Sequence, residues 1–88
     1  PDLKTVYRER GRCWLTGKNY EEALSDLRRY TELVPEDFAG FFYQGIALSG
    51  LGRYDEALVA FDNSARLNPN EPNTYYQRGW ILLAQKHR

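Results

Sequence analysis

The chain contains no methionine, one histidine and one cysteine among its 88 residues, and each scarcity excludes something. A single thiol, Cys13, cannot close an internal disulfide, so packing alone must hold the fold, as suits a reducing compartment. No cysteine pair is spaced for zinc, and no glycine-rich loop is spaced to cradle phosphate. Net charge is missing too. Twelve basic residues cancel twelve acidic ones, which removes the cationic excess that drives binding to a phosphate backbone. The longest strongly apolar run, Trp80 to Ala84, falls far short of the roughly 20 residues that cross a bilayer, so no membrane insertion is expected. No secretory leader pattern is legible, and the expected location is the cytoplasm. The first residue is proline, which fits either a trimmed initiator or a piece of a longer chain.

Catalysis needs a nucleophile, an acid–base pair or a metal cluster converging in space, and little here could build one. His87 stands in a basic tail between Lys86 and Arg88 and is expected to be solvated. Cys13 is expected to act as a small buried hydrophobe. No catalytic residue, metal ligand or cofactor is assigned, and the expectation is a non-enzyme.

What is present is a repeat. Gly11, Gly45 and Gly79 stand 34 residues apart, and the same step relates Tyr7, Phe41 and Tyr75, then Trp14, Leu48 and Leu82. It also relates Tyr20 to Tyr54, Ala23 to Ala57, Leu27 to Phe61 and Pro35 to Pro69. Within a unit, Tyr7, Gly11 and Trp14 step by four and three, as do Ala23, Leu27 and Tyr30, so each set lies on one helix face. Each unit is therefore two amphipathic helices. Thr16 to Asn19 and Ser49 to Gly52 separate the helices inside a unit, and Pro35 and Pro69 end the second helices. Asn19 with Glu22 forms a capping-box signature, while Asp37 and Asn70 stand where the next helices need caps. Glu21, Glu22, Asp55 and Glu56 open second helices, where negative charge suits the helix dipole. Gly11 and Gly45 are expected to be small because paired helices meet there, with Ala23 and Ala57 answering from the other side.

This pattern resembles the tetratricopeptide repeat, carried here by Tyr7, Gly11, Trp14, Tyr20, Ala23, Leu27, Tyr30 and Pro35, then Phe41, Gly45, Leu48, Tyr54, Ala57, Phe61, Ser64 and Pro69. The resemblance implies an all-α solenoid of five helices: repeat 1 at 4–37, repeat 2 at 38–71, and a partial repeat 3 at 72–88 holding only a first helix. Two departures stand out. Tyr30 fills a position the family gives to a small residue, which is expected to open the helix packing locally. Arg10, Gln44 and Arg78 stand where the family favours leucine, and their polar heads are expected to snorkel to solvent.

The family lines a concave groove with its first helices and binds peptides or helices there. By that pattern Arg8 and Arg12 form a cationic end, and Phe42, Tyr43, Ile46, Tyr76, Gln77 and Trp80 a largely aromatic remainder. Lys4, Arg8 and Arg12 repeat at intervals of four and so stack like charges, an arrangement that is either a solvated face or a grip for carboxylates. The apolar members would expose a patch of the kind that marks an interaction site, unless neighbouring first helices bury it. Members that clamp the C-terminal carboxylate of heat-shock chaperones use lysine, asparagine and arginine at positions that here read Arg8, Arg12, Tyr43, Asn73 and Gln77. Only Arg8 keeps that character, so the chaperone tail is not the expected ligand.

The third first helix carries Tyr75, Tyr76, Trp80, Ile81, Leu82 and Leu83, more apolar surface than one neighbour can cover. Either further repeats follow, or a second copy pairs through Trp80, Ile81, Leu82 and Leu83 as a homodimer. The leading expectation is an adaptor that binds a partner protein or peptide with acidic and apolar residues. A purely architectural, self-associating segment is the alternative, and RNA recognition by stacked aromatics is a third, disfavoured by the zero net charge.

Overall fold

Apolar residues recur here at three and four, with no alternating strand pattern, and the backbone answers with helices throughout. A computed structural model describes residues 2–86 and contains α1 (Leu3–Thr16), α2 (Tyr20–Leu33), α3 (Phe38–Gly50), α4 (Tyr54–Leu67) and α5 (Pro72–Lys86). Each helix packs on the next in chain order, and α1 also touches α3. The result is a slab of 43 × 27 × 17 Å. The core runs along its middle, from Ala23, Leu24 and Leu27 through Ala47, Leu48, Ala57 and Phe61 to Ile81.

The regular spacing of small residues has the expected packing cause. A Cβ at Gly11 would lie 2.8 Å from Leu27, and one at Gly45 would lie 2.6 Å from Phe61, so each second helix seats a large buried apolar side chain on the glycine of its first. Ala23 and Ala57 are fully buried on the opposite side of those contacts. Pro35 and Pro69 each fall two residues past the end of a second helix.

Helix ends are less uniform than the sequence implies. Asp37 caps α3 by accepting from the Ala39 N–H at 3.0 Å, as expected. Asn19 makes no side-chain cap bond to α2, so the capping box is not formed. There the turn is closed by backbone alone: Lys18 takes a left-handed φ of 61°, and the Asn19 N–H reaches the Trp14 carbonyl at 2.8 Å. At α5 the cap is Glu71, not Asn70, with Glu71 Oε1 accepting from the Asn73 N–H at 3.1 Å. Pro72 opens α5 at the first helical position, so the acceptor one residue before it is the one aimed at the free N–H groups.

The departures from the repeat pattern at Tyr30, Arg10 and Arg78 resolve into specific contacts, and the one at Gln44 does not. Tyr30 is buried, and the packing is not opened. The space it needs comes from Gly40 of α3, where a Cβ would lie 2.9 Å from the Tyr30 ring and 2.8 Å from Thr31. Its hydroxyl donates to Asp37 Oδ2, the carboxylate that caps α3. Burial is the main reason its pKa is raised, and the hydrogen bond to Asp37 adds to it. The long polar heads do not simply snorkel. Arg10 donates to both oxygens of the nearly buried Asp26, at 2.9 and 2.8 Å, and Arg78 Nε stands 2.8 Å from Asp62 Oδ1. The Arg78–Asp62 contact is an ion pair without hydrogen-bond geometry at Nε. In the middle unit the register places Ala60 where unit one has Asp26, and Gln44 Oε1 is buried without a hydrogen-bond partner.

Candidate functional site

The residues that the repeat pattern assigns to a groove lie on α1, α3 and α5, the first helices of successive units. Arg8 and Arg12 lie one turn apart on α1 with Glu9 between them. Glu9 meets Arg8 Nε at 3.2 Å and Arg12 Nη1 at 3.5 Å, so the cationic end expected from the sequence is partly answered from within. Both guanidinium groups also rest on tyrosine rings. Arg8 lies 5.9 Å from the Tyr30 ring centroid, and Arg12 lies 5.6 Å from that of Tyr43. The Arg8 pKa is raised, chiefly by hydrogen bonding to Tyr30 and against a smaller opposing desolvation. Arg8 thus stays a fixed cation.

Two hollows meet at Tyr43. One, of about 360 Å³, is lined by Glu9, Arg12, Cys13, Leu15, Thr16 and Tyr43. The other, of about 180 Å³, is lined by Phe38, Ala39, Phe42, Tyr43, Glu71 and Asn73. Cys13 is exposed in the first of them, not buried as its size and free thiol led one to expect. The face of α1 that α2 covers is set by Gly11, and Cys13 falls off it. Phe42 sits edge-on to Tyr43 at 5.7 Å and to the core residue Phe61 at 5.6 Å, which fixes its ring in the wall of the second hollow.

The expected apolar patch is therefore divided. Phe42, Tyr43 and Ile46 are half-buried and pack against the core. Tyr76 and Trp80 on α5 remain 68% and 52% exposed, and Gln77 is half-buried. Ile81, named with Trp80, Leu82 and Leu83 as a self-association residue, is corrected: it is fully buried against the second unit and offers nothing to another molecule. The helical turn places it on the side of α5 opposite Gly79. The sequence gives Glu9 as a partial offset to the basic stripe of α1, and the structure pairs it with both arginines. What sequence reasoning missed is Glu71 as the acidic wall of the second hollow. A glutamate one residue from one arginine and three from the other was the available signal for Glu9.

Among the described residues no cluster of histidine, cysteine and carboxylates could hold a metal ion. No helix there is long and apolar enough to cross a membrane. His87 lies outside the described residues.

Comparison with known proteins agrees with the geometry. A sequence model described as "Tetratricopeptide repeat" matches residues 38–71. A heat shock protein sti1 homolog from Schizosaccharomyces pombe is 35% identical over 65 residues, covering 74% of this chain and 11% of its own length. The chain thus spans about a tenth of that curated relative. The solved structure of MamA (41-end) from Desulfovibrio magneticus RS-1 superposes with a TM-score of 0.92 at 32% identity, over 99% of this chain and 49% of that one. The complex of yeast Sti1 described as TPR2AB-domain:pHSP90 superposes with a TM-score of 0.93 at 22% identity, over 99% of this chain and 34% of that one, a likeness of fold.

Proposed function

Because this chain is a tetratricopeptide repeat protein, we propose that its concave groove binds an extended or helical segment of another protein, with an acidic residue at Arg12 and an apolar one beside Phe42 and Tyr43. The observation that carries the reading is the Arg12–Tyr43 contact at the junction of the two hollows. A guanidinium placed over a ring is oriented before any ligand arrives, which lowers the entropy cost of its bond to a carboxylate. Glu9 shares that guanidinium only at 3.5 Å, and an incoming carboxylate competes with it. Arg8, Ile46, Tyr76, Gln77 and Trp80 extend the same surface along α1, α3 and α5.

The yeast Sti1 domain, alike in fold, is a complex with pHSP90, which supports partner binding as the activity of this architecture. The chaperone C-terminal carboxylate is not the proposed ligand here, because Arg12, Tyr43, Asn73 and Gln77 depart from the clamp residues. Binding, not catalysis, is the activity. A peptide array graded in acidity and apolar content, probed with the wild type and with Arg12→Glu, tests this. The reversed charge should weaken acidic peptides by roughly tenfold or more and leave helix content unchanged. Equal retention by both proteins removes the electrostatic half of the proposal.

A further inference from the structure

α5 is apolar on two opposite sides. At about 100° per residue, Thr74, Gln77, Ile81 and Ala84 fall on one side, and Thr74 and Ile81 there are fully buried. Tyr75, Tyr76, Gly79, Leu82 and Leu83 fall on the other, and the four bulky ones are 44, 68, 52 and 56% exposed. In the same register of the earlier units this side is covered, by Leu27 seated on Gly11 and by Phe61 seated on Gly45. Nothing lies within 4 Å of a Cβ built at Gly79.

The third unit also differs from the first two in what surrounds its glycine. Counting three and four residues to either side, the first unit has Tyr7, Arg8, Trp14 and Leu15, and the second has Phe41, Phe42, Leu48 and Ser49. Only the third has bulky apolar residues at all four places. Gly79 is moreover the middle residue of α5, which runs Pro72–Lys86, so the stripe reads alike from either end: bulky pair, glycine, bulky pair. A face with that symmetry complements itself. We propose that α5 of a second copy covers it, antiparallel, about a two-fold axis beside Gly79.

In that arrangement the two backbones approach closely at the paired glycines, as helices do where both lack side chains. Tyr75 meets Leu82 of the second copy and Tyr76 meets Leu83, each contact occurring twice. The two Trp80 rings lie side by side along one flank. Charge agrees with this direction: α5 carries only the cations Arg78 and Lys86, and Lys86 at one end reaches the end where Glu71 of the second copy stands. A parallel pair would set Lys86 beside Lys86. Arg78 is turned aside to Asp62 of its own chain. One helix pair is a small interface, so the dissociation constant falls roughly in the micromolar range.

Sedimentation of the 88-residue chain over about two decades of concentration around that range should show a reversible monomer–dimer equilibrium. Gly79→Arg puts a charge on the axis where the single chain has open space. It should keep the helical circular dichroism spectrum, melt no lower than the wild-type monomer, and raise the dissociation constant about a hundredfold or more. The register is read by cysteine cross-linking in a Cys13→Ser chain. Tyr76→Cys mixed with Leu83→Cys should form disulfide heterodimers in preference to either homodimer. A wild type that stays monomeric, a Gly79→Arg chain that dimerises as tightly, or cross-linking that favours the homodimers would each overturn the proposal. So would a monomeric chain that binds a synthetic α2 peptide, residues 20–33, since that assigns the face to a covering helix. Tyr76 and Trp80 belong both to the proposed groove surface and to this interface, whereas Arg12 on α1 belongs to the groove alone, so the Arg12→Glu array and the sedimentation of Gly79→Arg report on the two readings separately.

Discussion

Three glycines in one sequence register meet three different environments, and their substitution separates packing from backbone entropy. Gly45→Ala forces its new methyl into the Phe61 ring, itself fully buried, and should cost about 1–3 kcal/mol in urea denaturation. Gly79→Ala meets open space in the single chain. In dilute, monomeric solution it should stabilise by about 0.5–1 kcal/mol, the helix-propensity gain alone. Equal effects at the two sites would show that they are not packed as described. Tyr30 gives a second contrast, through pH. Its phenol is held protonated by burial and by Asp37, so its folded pKa is raised above the unfolded value. The stability this contributes is fully present below the ordinary tyrosine range and is lost as pH rises through the raised value. Phenolate absorbance should show a late-titrating step, and Tyr30→Phe should abolish it while lowering stability by about 1 kcal/mol.

Helix ends decide the next scale. Asp37 both caps α3 and accepts from Tyr30, so Asp37→Ala should cost about 1–2 kcal/mol, whereas Asn19→Ala, which removes no cap bond, should change melting little. Thermal denaturation of both variants checks this. The contrast also marks what the sequence could show. The five helices were legible because glycine, alanine and proline recur at fixed spacing and every amphipathic face repeats. The capping at Asn19 was not, because a left-handed Lys18 closes that turn through backbone, and residue identity does not encode which of two competing solutions the chain takes. Tyr30 was legible as an anomaly but not in its outcome, since the compensating Gly40 lies in the next unit and outside the repeat pattern. At the groove, the aromatic and basic residues were legible by position. The split of the apolar patch was not, because Ile46 and Phe42 divide their surface between core and groove according to helix rotation. Ile81 shows the same limit: on a helix apolar on two sides, periodicity does not say which side faces inward.

Over the whole molecule, stability is distributed unevenly along the stack. α2, α3 and α4 are packed on both sides by neighbours, while α5 rests chiefly on α4. Amide hydrogen exchange in dilute solution should therefore show α5 opening at lower free energy than α3 and α4, with protection on α5 rising as concentration increases. Uniform protection across all five helices at every concentration would contradict both the stacking and the pairing. A repeat array with nearest-neighbour contacts behaves in this way because each helix gains only from the two it touches.

The doubled use of Asp37 has a mechanical side. Unit one is tied to unit two by a buried phenol whose acceptor is also the cap of α3, so flexing that joint breaks a cross-link and frays a helix in a single event. The equivalent position of the next unit is Ser64, which donates to the Phe38 carbonyl at 3.1 Å within its own unit and stands only 3.5 Å from the Thr74 hydroxyl of α5. The first joint is expected to resist flexing more than the second, because a side-chain hydrogen bond ties it where the second has a hydroxyl contact at the limit of hydrogen bonding. A load drawn along the stack would therefore peel α5 from α4 while the curvature that shapes the Arg12–Tyr43 hollow stays unchanged.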